Sequence, residues 1–320
     1  MTELNWGIIG LGSIARQFVT TAKANVLGVA TGHDPARARA FAAEYGIPHA
    51  YAGLAAMCDD PAIDAIYVAN THNFHYPNIK TALTAGKHVL AEKAITLNAA
   101  QLGELVALAA SRHLILMEAQ TTYHLPLYPA LAAFRKAHHV GRLKAIQASI
   151  GERVPVDLHG RFYDPKLAGG ALLDMGVYPL SLIRALMTAT PQLTASQVEM
   201  SDTGVDLDES FLLNNANREQ ASFHATLLAR LPNRAIATYE NGYFLFDNAN
   251  RTDSATYYPL AGEPEVIQAG DAKLAMAYEV QDMQQAVATG ENPTLAWTVD
   301  TMAIMTAARK AWGMRYPAED

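Results

Sequence analysis

Cysteine is almost absent from this chain: Cys58 is the only one. A single thiol cannot form an intramolecular disulfide, and it excludes a cysteine-based zinc site. A basic surplus is missing too. The formal net charge is −7, which leaves nothing over to neutralise phosphates and argues against a general nucleic-acid partner. No apolar run reaches the ~18 residues that a bilayer-spanning helix needs. Neither an internal repeat nor a low-complexity linker interrupts the sequence. A strand-like run begins at Asn5 with no basic segment or cleavage signal ahead of it, the pattern of a soluble, cytoplasmic protein.

What is present is a large apolar fraction. Half of the 320 residues are hydrophobic, enough for a sizeable core, and the length predicts two domains. The first third alternates. Strands are expected at residues 6–9, 26–31, 65–69, 88–91 and 114–118, and helices at 13–23, 35–45, 76–85 and 99–111. Short turns join them, which predicts a parallel sheet with helices on both faces. After about residue 120 the pattern changes. Apolar and polar residues alternate over 143–152, 197–202, 222–231 and 236–243, as in antiparallel strands with one covered face. One helix is expected over 171–187, and two closing helices over 273–289 and 298–312. The expected fold is α/β: an N-terminal Rossmann dinucleotide-binding domain over residues 1–120, then a C-terminal α+β domain over 121–320. The second domain is expected to carry a large, mostly antiparallel open sheet for substrate binding and oligomerisation.

The first chemical signal follows the first strand. Gly10-Leu11-Gly12-Ser13-Ile14-Ala15 opens the first helix. Gly10 permits the tight turn, Gly12 lets a pyrophosphate approach the backbone, and Ala15 lets helix and strand pack closely. The helix N-terminus offers N–H groups and positive potential to phosphates. Cofactor choice is made at the end of the second strand, where an NAD-specific site carries an acid ~20 residues past the glycines. Gly32 stands in that place, flanked by Thr31, His33 and Arg37, which suit a 2′-phosphate. NADP is therefore expected in preference to NAD. Asp34, ahead of Pro35, reads as a helix cap.

Glu92-Lys93 follows the strand at 88–91, at the carboxyl edge where open α/β sheets bind ligands. An ammonium there can polarise an oxygen and pass a proton; the plain alternative is a solvated loop lysine. Asn70-Thr71-His72-Asn73-Phe74-His75 follows another strand to the same edge. In Gly169–Tyr178, Asp174 and Tyr178 are four apart and share a helix face. A carboxylate and a phenol so placed can share a substrate hydroxyl and its proton. The alternative is a hydrogen-bonded helix face without chemistry. His138 and His139 lack a carboxylate partner at metal-ligand spacing, so no metal site is expected. The methionines between 275 and 314 read as core filler.

Taken together, Gly10/Gly12/Ala15, the run Ala85-Gly86-Lys87-His88-Val89-Leu90-Ala91-Glu92-Lys93 and the segment 169–178 resemble the Gfo/Idh/MocA oxidoreductase family. Tyr178, the run Arg161-Phe162-Tyr163-Asp164-Pro165 and the tail Trp312-Gly313-Met314-Arg315-Tyr316-Pro317 resemble its branch of dimeric dihydrodiol dehydrogenases and NADP-linked sugar dehydrogenases. The resemblance implies catalytic positions at Lys93, Asp174 and Tyr178. It implies reversible hydride transfer between a nicotinamide and a carbinol or carbonyl carbon of a sugar, polyol or cyclic diol. Tyr178 or Lys93 would exchange the hydroxyl proton, and Asp174 would orient the substrate. Residues 70–75 would line the nicotinamide ribose, with His75 at the family's histidine and His72 either beside it or, as its own reading favours, an exposed loop histidine; the protein would be a homodimer or higher homo-oligomer. The family usually carries proline after the lysine; here Ala94 follows, which leaves open whether that peptide is cis. Two other readings belong to the same fold: a non-catalytic NAD(P)-binding sensor, and an NAD-dependent glycosidase with a tightly held cofactor.

Overall fold

The computed structural model describes residues 3–319, which form two compact units. The first is built from β1 (Asn5–Ile9), α1 (Ser13–Thr21), β2 (Asn25–Ala30), α2 (Pro35–Tyr45), β3 (His49–Ala50), α3 (Leu54–Cys58), β4 (Ala65–Val68), α4 (His75–Thr84), β5 (His88–Glu92), α5 (Ala99–Ser111) and β6 (Leu116–Ala119). All neighbouring strands are parallel, in the order β3-β2-β1-β4-β5-β6. That is the doubly wound Rossmann order, and it reverses direction between β1 and β4. The central strands are apolar throughout because both faces are covered: β4 is buried at every residue. Trp6, Phe18 and Tyr67 are fully buried, and Phe18 stacks on Tyr67 with ring centroids 4.0 Å apart. Burial of side chains of this size contributes about 2–3 kcal/mol each.

The second unit contains α6 (Thr121–His124), α7 (Leu127–Ala137), β7 (Leu143–Gly151), α8 (Val177–Leu186), β8 (Gln192–Met200), β9 (Asp206–Asn214), β10 (Gln220–Thr226), β11 (Leu231–Tyr239), β12 (Gly242–Asp247), β13 (Ser254–Pro259) and β14 (Glu265–Gln268). Its sheet runs β14-β13-β12-β11-β7-β10-β9-β8 and is antiparallel except where β7 pairs with β10. One face is apolar, with Ile146, Phe211, Phe223, Ala237 and Phe244 buried. The alternation leaves Leu212 and Tyr243 exposed on the other face.

Two helices close the chain, α9 (Ala275–Thr289) and α10 (Leu295–Ala311). Residues Lys273–Val299 group with the first unit, and the chain from Asp300 onward groups with the second. The division is therefore not a single cut near residue 120. Met276, Val280 and Met283 of α9 belong to the same apolar cluster as Trp6 and Phe18, and α9 serves the Rossmann core. The methionines of this region are core residues: Met276, Met283, Met302, Met305 and Met314 are all buried. The helix expected over 171–187 is present but begins differently. Leu172–Gly176 is a π-helical turn, and α8 continues from Val177.

Candidate active-site residues

The glycine turn has the form its residues require. Gly10 adopts φ +93°, and a Cβ there would lie 2.7 Å from backbone atoms of Ala69 and Asn70 beyond β4. Only glycine fits so close an approach in the left-handed region. Gly12 begins α1, no side chain caps that helix, and nothing lies within 4 Å of where a Cβ of Gly12 would be. Ser13 is exposed and Ile14 half-buried, while Ala15 is fully buried against the sheet. The start of α1 thus has no side-chain cap and no atom crowding Gly12, which fits the phosphates of a dinucleotide.

Arg37 is drawn to the same turn. Asp34 caps α2 by accepting from the Arg37 backbone N–H at 3.0 Å, and Thr31 Oγ1 accepts from the Asp34 N–H at 2.9 Å. This fixes the first turn of α2, and the Arg37 guanidinium then donates to the Leu11 carbonyl at 2.7 Å. Gly32 and His33 are exposed beside it, and nothing lies within 4 Å of the Gly32 Cβ position.

The loops after β4 and β5 are tied together around Lys93. The Lys93–Ala94 peptide is cis. His72 Nε2 lies 3.2 Å from the Lys93 carbonyl oxygen, and His75 Nδ1 lies 2.9 Å from that of Ala94. The Ile95 N–H donates to Glu118 at 3.1 Å, and Thr298 donates to the other oxygen of the same carboxylate at 2.9 Å. Glu92 accepts from the Tyr67 hydroxyl. Asn70 accepts from the Asn78 side chain, and Thr71 donates to Asn73. His75 is fully buried and its Nε2 faces the Asn70 carbonyl at 3.0 Å. Both its nitrogens are spent on backbone, so it ties the two loops together rather than reaching a ligand. Tyr67 and Glu118 escaped the sequence reading. Both sit in strands that read as core, and only the fold shows their polar ends turned to the Glu92–Ile95 segment.

Asp174 and Tyr178 lie in the second unit. Asp174 is in the π-turn and Tyr178 in the first turn of α8. Among the ten residues 171–180 they alone are not buried. Asp174 Oδ1 pairs with the Arg161 guanidinium at 2.6 Å, and Arg161 also lies over the Phe162 ring.

Another serine, histidine and aspartate meet on the exposed face of the second sheet. Ser210 Oγ is 2.8 Å from His224 Nδ1, and His224 Nε2 is 3.3 Å from Asp208. The backbone N–H groups of β9 and β10 are committed to their strand ladders. The cluster therefore lacks the donors that acyl-transfer chemistry needs for an oxyanion. Among the described residues, no group of three or more His, Cys, Asp or Glu side chains is placed to hold a metal ion, and no helix is long and apolar enough to cross a membrane.

A glycine turn at a helix start, on the edge of a six-stranded Rossmann sheet, marks a dinucleotide-binding oxidoreductase architecture. Residues 4–120 match the model of an oxidoreductase family with an NAD-binding Rossmann fold, and residues 129–251 match the GFO/IDH/MocA C-terminal domain. The chain belongs to the GFO/IDH/MocA oxidoreductase family. Its relatives include trans-1,2-dihydrobenzene-1,2-diol dehydrogenases. That of Xenopus tropicalis is 29% identical over 332 residues, covering 98% of this chain and 99% of the relative. That of Mus musculus is 30% identical over 340 residues, covering 99% of each. Among solved structures, a 3-ketoreductase from Actinomadura kijaniata in complex with NADP and TDP-benzene superposes with a TM-score of 0.84 at 24% identity, covering 97% of this chain and 98% of that one. An aldose-aldose oxidoreductase from Caulobacter crescentus gives 0.86 at 20% identity, covering 97% of each chain. At these identities the structures establish the fold.

Proposed function

We propose that this protein is an NADP-preferring dehydrogenase acting on a secondary hydroxyl of a cyclic diol, sugar or polyol. The observation that carries this reading is end-to-end similarity to dihydrodiol dehydrogenases, about 30% identical over almost the whole of both chains. The Arg37 guanidinium at the glycine turn supports NADP over NAD, since it supplies a cation where a 2′-phosphate needs one. Gly10, Gly12, Ser13, Ile14 and Ala15 hold the pyrophosphate. Thr31, Gly32, His33 and Arg37 hold the adenosine end, and Asn70, Thr71, His72 and Glu92 serve the nicotinamide end. When bound, the nicotinamide supplies the two-electron acceptor or donor.

The chain's own residues manage the proton and the orientation. Asp174, carrying negative charge beside Arg161, accepts hydrogen bonds from substrate hydroxyls and fixes which carbon reacts. Tyr178 or Lys93 takes the proton from the reacting oxygen and returns it in the reverse direction. Lys93 also favours negative charge on that oxygen, and the hydrogen bonds to the Lys93 carbonyl and to the following peptide fix where its side chain starts. We propose a cytoplasmic location and a homodimer or larger homo-oligomer.

The test is the near-ultraviolet absorbance of reduced nicotinamide. NADP⁺ and NAD⁺ are run in parallel over trans-dihydrodiols, pentoses, hexoses and inositols, with Lys93→Met as control. Turnover with NADP⁺ and one substrate class, lost in Lys93→Met while cofactor binding persists, is expected. Full activity in that variant removes Lys93 from the chemistry. Silence across the panel in a cofactor-binding protein favours a sensor, and copurified stoichiometric NAD favours a glycosidase.

A further inference from the structure

Beneath the π-turn that carries Asp174 lie two acids with no place in the chemistry above. Asp206 and Glu209, both on β9, are fully buried. Asp206 Oδ2 accepts from the Leu172 N–H, the first residue of the π-turn, at 2.6 Å. Glu209 closes on the other end: a Cβ on Gly176, the last residue of the turn, would lie 2.5 Å from Glu209 Oε1. Gly170, just before the turn, is equally tight, its Cβ position lying 2.2 Å from Asp206 Oδ1. Each carboxyl acts on the other at short range. Among the described residues, no N–H or O–H donates to either oxygen of Glu209 or to the Oδ1 of Asp206.

Two facing carboxylates with three orphaned oxygens make no physical sense as two anions in a closed site. One proton between them resolves it. Glu209 then donates to Asp206 Oδ1, and Asp206 remains the anion that holds the Leu172 N–H. The charges around them favour this division. The positive charge of Arg309 of α10 favours the Asp206 anion, whereas the negative charges of Asp206 and Asp208 disfavour an anion at Glu209. Burial, followed by the charge of Asp206, pushes the Glu209 carboxyl well above the usual range. Tyr316 closes the site: its hydroxyl donates to the Gly169 carbonyl at 2.5 Å, its ring lies under the Arg309 guanidinium, and Arg309 pairs with Glu319.

We propose that Asp206 and Glu209 are positioning residues that share one buried proton and thereby hold the π-turn in the form that presents Asp174. The pair touches no substrate and acts through the turn's backbone at both ends. Loss of the shared proton would set two anions against each other under the turn and release it. The inference rests on the dehydrogenase reading only for its effect on turnover.

Three measurements on the full-length protein test it. The infrared spectrum of the wild type at neutral pH should carry a protonated-carboxyl band that disappears in Glu209→Gln. Amide hydrogen exchange of the peptide spanning residues 172–178 should be slow in wild type and in Glu209→Gln, and fast in Glu209→Ala. Glu209→Gln, which donates but cannot ionise, should keep kcat near wild type and move its alkaline fall to higher pH. Glu209→Ala should lose about tenfold to a hundredfold in kcat with NADP affinity unchanged. An unaltered carboxyl band in Glu209→Gln overturns the shared proton. Slow exchange in Glu209→Ala overturns the hold on the turn. A wild type that turns over no substrate defeats the dehydrogenase reading, while the infrared and exchange results still decide the pair.

Discussion

The Arg37 guanidinium sits 2.7 Å from the Leu11 carbonyl oxygen, so a side chain of α2 is anchored to the turn between β1 and α1. An exposed arginine spends most of its time in water unless something holds it. Here the Asp34 cap sets the helix start, the carbonyl takes one guanidinium N–H, and four of the five N–H donors are left for a phosphate.

Arg37→Ala should therefore change cofactor choice rather than fold. Hydrogen bonds from a charged group are worth about 1.5–3 kcal/mol, so NADP affinity should fall by about tenfold to a hundredfold. NAD, without the 2′-phosphate, should bind almost as before. Fluorescence titration of both reduced cofactors checks this. Equal losses for the two would mean that Arg37 merely supports the turn.

The alternating pattern of the first third and its glycine turn were enough to place a Rossmann unit, because strands buried on both faces and a βα glycine turn are written locally. Asp34 and Pro35 likewise carry their cap in two adjacent letters. What was not legible depends on tertiary contact. The grouping of α9 with the first unit follows from Met276 and Met283 finding Trp6 and Phe18, which no local pattern shows. Strand β9 was missed although Phe211 and Leu213 alternate, since Asp206 and Glu209 put charge where a core is expected. The π-turn is invisible for the same reason: its cause lies in those two acids on a strand more than thirty residues away. His75 is present in the motif, but only its burial reveals that it serves the loops.

Glu118 should prove essential to the lysine segment. Its carboxylate accepts from Ile95, two residues past Lys93, and from Thr298. Glu118→Ala leaves the buried Ile95 N–H unpaired, which costs about 1–3 kcal/mol, and loosens the backbone from which Lys93 projects. Chemical denaturation should show that loss, and kcat should fall more than the cofactor affinity. Glu118→Gln keeps an acceptor for Ile95 and should recover most of both. An alanine variant with native stability would rule out this role.

His75 makes stability depend on pH. Its two carbonyl neighbours favour an imidazolium, since a neutral ring donates to only one of them. Burial is the stronger influence, and together with the charge of Lys93 it pushes the His75 pKa below its ordinary value. A lowered pKa means that the unfolded chain takes up a proton that the folded chain refuses. The contribution is complete above the ordinary histidine value of ~6.5 and is lost as pH falls toward the folded value. Stability should therefore decline as the solution is acidified below that point. His88, also shifted down by burial, adds to the same slope. His75→Asn, whose amide can still donate to the Ala94 carbonyl, should flatten the acid limb of the denaturation midpoint without abolishing it. An unchanged slope would show that His75 takes up its proton equally in the folded and unfolded states, and that burial does not shift it.

The two glycines of the turn should separate folding from binding. Gly10 has φ +93° and no room for a Cβ, which would lie 2.7 Å from the backbone beyond β4. Gly10→Ala must both strain its own backbone and push the β4 loop away, so the thermal midpoint should drop. Gly12 has φ −85°, open space around its Cβ position and the cap position of α1. A serine there is allowed by the backbone and supplies the capping oxygen that the helix lacks, so Gly12→Ser should keep or slightly raise stability. The same side chain fills the space through which the phosphates must approach, and NADP binding should fall sharply. Calorimetry of the unliganded variants and cofactor titration make the comparison. If Gly12→Ser binds NADP as tightly as the wild type, the phosphates do not pass over this turn, and the assignment of the nucleotide site to Gly10–Ala15 fails.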